Sequence, residues 1–391
     1  MESLFISHFG PIEEINLTSL PKYTVFIGES GSGKSSVMKV LAMMRWLYKM
    51  NCVRTYLKIS GMPVPFRLRL DTIMGYNGLK PYLKGNTEIE YRNGSFVIQI
   101  HNGKLVKSEG LVPLDELTLQ KVAYISDKRV MIPDLAVGNI SLRHNMFYLD
   151  ETFLNFQKAV DSISVSEMNY LGVRLAVKKS STGKKITVSA LDKKAPFEDL
   201  PLTSASSGMQ SSVALHFIIN YFSKRFDIVE AMNSTILKYL AVSDNLSKFS
   251  ATLDVGKFPR KCISLHIEEP ELSLFPLNQW GLMKYLVQEC ASAANAKLGM
   301  TLATHSPYIL TALNIMMLAK EASGKDAAEY DKLGLDIPFI SKDEVGAWLI
   351  EAGRCYSLYN EELGMIDGTS LDRVSDDFEN LILRLNDIIY G

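Results

Sequence analysis

The chain has 391 residues, 47% hydrophobic and 22% charged, with 42 Lys+Arg against 43 Asp+Glu and a formal net charge of -1. That length can bury a sizeable core without disulfides or metals, and the composition excludes a chain disordered throughout. The charge balance excludes nucleic-acid wrapping by bulk charge, which leaves DNA contact only to a local patch. Cys52, Cys262, Cys290 and Cys355 stand far apart with no CxxC pair, which argues against a zinc ribbon and a secreted disulfide scaffold. The N-terminus lacks the pattern of a signal peptide, and the most apolar stretch, Ile309 to Ala319, is too short to span a bilayer. These readings predict a cytoplasmic protein without membrane contact.

In chain order, the first strong signal is the apolar run Tyr23 to Ile27, which reads as a buried strand. Gly28-Glu29-Ser30-Gly31-Ser32-Gly33-Lys34-Ser35 follows, and from Ser36 to Tyr48 the pattern is helical. Strand, GxxxxGK[ST], helix is the Walker A context. The three glycines let the backbone curl around a phosphate without Cβ clashes, and successive N–H groups with the helix N-terminus attract the anion. Lys34 would reach the β- and γ-phosphates, and the Ser35 hydroxyl would hold Mg²⁺.

From Phe66 to Ile100, apolar residues alternate: Phe66, Leu68, Leu70, then Ile89 and Tyr91, then Phe96, Ile98 and Ile100. Asn93-Gly94 between two of these runs is a hairpin signal. Val122 to Ser126 reads as a strand followed by Asp127-Lys128-Arg129, where Arg129 either reaches the nucleotide or a neighbouring loop or lies on the surface. Asn145 to Tyr170 is helical in pattern, without the sustained heptads of a coiled-coil arm. Val173 to Val177 and Lys185 to Ser189 flank a basic tip, read as a hairpin that either touches nucleic acid or is simply solvated.

Ser204 to Ser211 precedes an amphipathic run, Ser212 to Phe222, with Ser207 as the expected N-cap and Gly208 permitting close approach. Ile228 to Val242 is an apolar helical stretch. Lys261 to Ile267 is a mostly apolar run ending in Glu268-Glu269-Pro270-Glu271, the layout of a Walker B strand. Glu268 would hold a water on Mg²⁺, and Glu269 would polarise the attacking water. Met300 to Thr304 reads as another buried strand, with His305 at its tip, where an imidazole can meet a γ-phosphate and that water. Gly346 to Glu351 and Arg354 to Leu358 read as late strands, and Phe378 to Ile389 as a final amphipathic helix.

With these motifs assembled, the chain resembles the ABC-type ATPase clade and, within it, the RecF/SMC/OLD-like branch. The resemblance rests on Gly28–Ser35, Ile267–Glu271 and Thr304–Pro307, together with Phe5–Ile12, which looks like the strand that lies near the adenine in that branch. It implies an α/β fold, a P-loop NTPase with a mixed central sheet, an antiparallel β-lobe and helical insertions. It implies ATP and Mg²⁺ as ligands. The nucleotide-binding set is Gly28, Glu29, Ser30, Gly31, Ser32, Gly33, Lys34, Ser35 and Ser36, with Ser35 and Glu268 for the metal. Lys34, Glu269 and His305 form the catalytic set. Such ATPases carry a second motif that crosses a dimer to the partner's ATP, and Ser207, Gly208 and Gln210 fill that place. Met209 departs from the usual Gly, Glu268 from the usual Asp, and Leu272 to Pro276 from the His-rich turn of many relatives. Gln120 and Gln99 are both open as the family's Q-loop glutamine.

The implied organisation is one discontinuous ATPase domain over 1–391. Residues 1–132 carry Walker A and the β-lobe, 133–200 a helical insertion and the basic hairpin, and 201–391 the signature, Walker B and switch histidine, with an insertion at 223–260. After His305 there is no DxD, so no nuclease is expected in this chain. The layout resembles ATPase subunits of bacterial anti-phage systems such as PARIS, Septu and certain retrons. That implies a homodimer or higher homo-oligomer working with a separately encoded effector, a nuclease or toxin. A scaffold that sequesters an effector with little turnover, and a RecF-like repair ATPase, are the alternatives. DNA contact would fall at Lys178–Lys185.

Overall fold

The computed structural model describes residues 1–106, 110–138, 147–180, 183–192, 197–242, 258–368 and 382–385. The chain opens as a hairpin. Strand β1 (Glu2–Phe9) turns at Gly10, φ 51°, into β2 (Ile12–Leu17), and the apolar residues of both strands are buried except half-buried Phe5. Strand β3 (Tyr23–Ile27) is buried along its whole length, as a strand covered on both faces must be. Helix α1 (Lys34–Ile59) follows and is apolar on most of its surface because it is packed nearly all round.

Next come α2 (Leu70–Tyr76), β4 (Glu88–Asn93), β5 (Phe96–His101), β6 (Lys104–Leu105) and β7 (Thr118–Ile125). Then follow α3 (Ile132–Ala136), α4 (Phe147–Ser162), β8 (Val165–Met168), β9 (Val173–Ser180), β10 (Gly183–Ala190) and β11 (Leu200–Pro201). The remaining elements include α5 (Ser207–Lys224), α6 (Ile228–Val242), β12 (Arg260–Glu268), α7 (Pro276–Ser292), β13 (Lys297–Thr304), α8 (Pro307–Lys325) and α9 (Ala327–Lys332). Strands β14 (Val345–Glu351), β15 (Arg354–Ser357), β16 (Tyr359–Asn360) and β17 (Met365–Ile366) follow.

An 11-stranded sheet runs β6-β5-β4-β1-β2-β15-β14-β3-β13-β12-β7. The stretch β14-β3-β13-β12-β7 is parallel throughout. The β1, β2, β4, β5 and β6 end is antiparallel. A separate 4-stranded sheet, β11-β10-β9-β8, stands apart from it. Helix α1 lies against the parallel strands, and its buried Arg45 grips the start of β1, donating to both oxygens of Glu2 at 2.8 and 2.9 Å. Removing one partner of such a buried pair strands the other charge, so the pair fixes register between helix and sheet.

Several expectations change. Phe66, Leu68 and Leu70 do not form a strand: the first two lie in an irregular segment, where Pro63 and Pro65 remove ladder donors, and Leu70 opens α2. The β4–β5 hairpin forms, but its two-residue turn is Gly94-Ser95, with Gly94 at φ 63° and Glu116 accepting from the Ser95 amide at 2.9 Å. The helix expected through Tyr170 stops at Ser162 and the chain enters β8. The hairpin β9–β10 pairs Ser180 with Gly183, and its tip, residues 181–182, lies outside the described residues. Residues 243–257 of the 223–260 insertion, and most of the final helix expected over 378–389, also lie outside them. No helix among the described residues is long and apolar enough to cross a membrane.

Candidate functional site

In register, Ile27 pairs with Thr304, and Glu268 with Ala303. The parallel strands β3, β13 and β12 therefore end at one edge, where open α/β sheets place ligands. Gly28 to Gly33 leave β3 there and hand the chain to α1. Gly28, Gly31 and Gly33 all have positive φ, at 150°, 81° and 107°. A Cβ on Gly28 would lie 2.3 Å from the Ile350 carbonyl oxygen, so only glycine fits between this loop and β14. Glu29, Ser30 and Gly31 are exposed, Ser32, Gly33 and Ser35 are half-buried, and Ser36 is buried.

Lys34 is buried, and its Nζ donates to the loop's own carbonyls, Gly28 O at 2.8 Å and Glu29 O at 2.7 Å. Burial lowers its pKa, while Glu269 and Glu271 oppose that shift. Ser32 Oγ is buried and has no hydrogen-bond partner among the described residues. A cationic nitrogen turned onto weak acceptors, an orphaned hydroxyl and a curl of glycines fit a phosphate.

Glu268 ends β12 and is buried. The Tyr124 hydroxyl donates to its Oε1 at 2.7 Å, Lys39 Nζ stands at 3.7 Å, and the Asp127 amide approaches Oε2 at 3.4 Å. Glu269 follows with φ 43°, a left-handed conformation that side-chain-bearing residues rarely adopt. Its Oε1 lies 3.8 Å from His305 Nε2, and both side chains are 37% exposed, open enough to meet a substrate. Burial raises the Glu269 pKa, against the lowering pull of His305. Glu271 ties the acidic turn to β13: its Oε1 accepts from Thr304 Oγ1 at 2.7 Å and from the His305 amide at 2.8 Å.

Arg129 is fully buried, so the surface alternative fails. It reaches a neighbouring loop, donating to Glu268 O at 2.6 Å and Glu269 O at 2.5 Å from the short helical turn Asp127–Met131. It therefore grips the acidic turn by its backbone carbonyls and not by its carboxylates.

Helix α5 begins one residue earlier than expected: Ser206 is its N-cap, its Oγ accepting from the Met209 amide at 3.4 Å, and Ser207 is the first helical residue, exposed. A Ser-Ser pair offers either hydroxyl as a cap, and the sequence does not choose between them. Gly208 does permit close approach, since a Cβ there would lie 2.5 Å from Ser273 O. Ser211 Oγ donates to Leu272 O at 3.0 Å. The first turns of α5 thus rest on the loop that follows Glu271. Gln210 Nε2 donates to Thr203 O at 3.0 Å.

The edge of the sheet brings together Lys34, Ser35, Glu268, Glu269 and His305. It does not bring the glutamines. Gln120 is buried mid-strand beside Ser264, and Gln99 pairs with Glu90 on the exposed face of β5. In the basic hairpin, Lys178 pairs with Asp199 at 2.7 Å and Lys184 with Asp161, which neutralises part of the patch. Sequence reading missed Tyr124, Lys39 and Glu271. Lys39 lies one helical turn beyond Ser35, and Glu271 closes the acidic run, so both had a signal in spacing. Tyr124 had none.

A P-loop delivered by a parallel strand, two acids and a histidine at neighbouring strand ends, and an antiparallel flank on the same sheet define the class. The fold is α/β, a P-loop leaving a parallel strand of a mixed central sheet with an antiparallel flank, as the resemblance to ABC-type ATPase heads implies. No family model matches the chain, and neither does any curated protein. Among solved structures, it is similar to an Smc head domain with an extended coiled coil bound to the C-terminal domain of ScpA, derived from Pyrococcus furiosus. They share 9% identity and a TM-score of 0.37, over 97% of this chain and 100% of that one. It is similar to the recombination mediator protein RecF at 9% identity and a TM-score of 0.34, over 91% and 97%. It is also similar to CbiO1 from Clostridium perfringens, part of an ABC transporter complex, at 12% identity and a TM-score of 0.30, over 98% and 94%.

Proposed function

We propose that the chain binds ATP with Mg²⁺ at Gly28–Ser36 and hydrolyses it, with two copies closing around the nucleotide. We further propose that this cycle controls a separately encoded nuclease or toxin in bacterial anti-phage defence, from one discontinuous domain in the cytoplasm. The observation that carries the hydrolytic reading is the Glu269–His305 pair at 3.8 Å, at the ends of β12 and β13, of which β13 adjoins the strand that delivers the P-loop. The effector and the defence setting rest on resemblance of layout alone.

In this reading Lys34 leaves the Gly28 and Glu29 carbonyls for the phosphates, and the loop amides take the remaining oxygens. Ser35 and, through water, Glu268 would hold Mg²⁺, which would supply positive charge to offset that of the phosphates. Glu268 suits an indirect role because Tyr124, Lys39 and the Asp127 amide already engage its oxygens. Glu269 accepts the proton of the attacking water as its oxygen bonds to the γ-phosphorus and the bond to the ADP oxygen breaks. His305 orients that water. Ser207, Gly208 and Gln210 of a second copy close the site, with amides at a helix N-terminus facing the γ-phosphate.

Light scattering with and without ATP tests the composite site. Glu269→Gln is expected to double in mass with ATP and stay doubled, whereas Lys34→Ala stays at its nucleotide-free mass. Equal masses for both variants, whatever the nucleotide, would sink the two-copy site.

A further inference from the structure

A second cleft, of about 330 Å³, opens between α1, α2, β7 and α4. Its walls are aromatic: Trp46, Tyr76, Tyr124, Phe147 and Tyr148. Tyr124 and Tyr148 lie with ring centroids 4.0 Å apart, and Tyr76 and Phe147 at 6.3 Å. Such walls suit a flat ring, which gains both burial and stacking there. Glu151, the acid in the lining, bonds Lys121 at 3.1 Å, and among the described residues Lys49 has no ion-pair partner. Lys49 is half-buried; burial first, then the like charge of Lys121, pushes its pKa down to about 8, against the raising pull of Glu151. A desolvated ammonium beside another cation calls for an anion.

We infer that this cleft is a binding site for a small planar aromatic anion, separate from the phosphate loop. The aromatic walls hold the ring, and Lys49 holds the charged group. The wall also touches the nucleotide site. Tyr124 lines the cleft and donates to Glu268 at 2.7 Å, and Lys39 lies 5.4 Å over the Tyr148 ring while standing 3.7 Å from Glu268. A ligand that shifts Tyr124 or Tyr148 therefore shifts the acid beside Mg²⁺, an influence that by linkage runs both ways. This coupling rests on the ATP-binding reading, but occupancy of the cleft does not.

Calorimetry on full-length Lys34→Ala, where the P-loop is disabled, uses uridine 5′-monophosphate for a nucleotide source and indole-3-carboxylate for an aromatic-acid source. At least one is expected to bind saturably, and added Lys49→Gln or Tyr76→Ala to weaken it roughly tenfold. Tyr76 is 65% exposed, so its truncation leaves the fold intact. In the wild type, the same probe should quench Trp46 fluorescence, a change lost in Trp46→Phe. Saturating probe should also shift ATP affinity by roughly fivefold, a shift lost in Tyr124→Phe. Binding of neither probe, or binding indifferent to both substitutions, overturns the site. Binding with an unshifted ATP affinity overturns the coupling alone.

Discussion

Glu269 presents its carboxylate from a backbone at φ 43°, and fully buried Arg129 donates to its carbonyl. The two facts belong together: a left-handed residue is kept in place by bonds to its own main chain. Arg129→Lys has one ammonium where two guanidinium nitrogens were needed, so it should destabilise the fold by about 2 kcal/mol. Turnover should fall more than ATP affinity, a split that steady-state kinetics on the folded variant would read. Because burial raises the Glu269 pKa, the acid limb of the hydrolysis profile should lie above the ordinary glutamate range. A base must be deprotonated, so the rate falls as pH drops through that limb, and a pH–rate series would locate it. Gly28–Ser35, Glu268, Glu269 and His305 were legible as residues because their spacing repeats a chemical requirement. Arg129 and Tyr124 were not, because their partners lie far away in sequence and their contacts are set by the fold.

At the scale of elements, the first turn of α5 and the loop after Glu271 act as one joint. Gly208 lies under Ser273, itself at φ 59°, and Ser211 bonds Leu272. Gly208→Ala places a Cβ 2.5 Å from a backbone oxygen, so the joint must open. The expected cost is about 1–3 kcal/mol, read by denaturant melts, together with loss of ATP-dependent dimer mass. Strands β3, β7, β12 and β13 were legible because buried parallel strands are continuous apolar runs. The alternation at Phe66, Leu68 and Leu70 misled because period two shows an extended chain, while a strand also needs a neighbour with free donors. The turn at Gly94-Ser95 slipped by one residue for a similar reason: the Glu116 carboxylate that anchors it is not local.

At the scale of the whole molecule, two histidines are buried beyond the reach of protons. Burial pushes His216 down to about 3 and His266 well below its ordinary value. The unfolded chain takes up those protons below about pH 6.5, the folded chain does not, and stability therefore falls as pH drops from there. The slope should approach about 1.4 kcal/mol per pH unit for each histidine, seen as a falling melting temperature between pH 7 and 5 and lessened in His216→Gln.

The mixed sheet as a whole was legible only through resemblance, because strand order is not written in local pattern. Strands from both ends of the chain, β2 and β15, meet inside it. The claim on which the rest depends is that this sheet edge hydrolyses ATP. Phosphate release from ATP by the wild-type chain and by Glu269→Gln, beside direct ATP binding, tests it most directly. Hydrolysis at this edge predicts steady release by the wild type, a loss of at least about a hundredfold in Glu269→Gln, and ATP binding retained in that variant. Equal release from both proteins, with ATP bound, would contradict it.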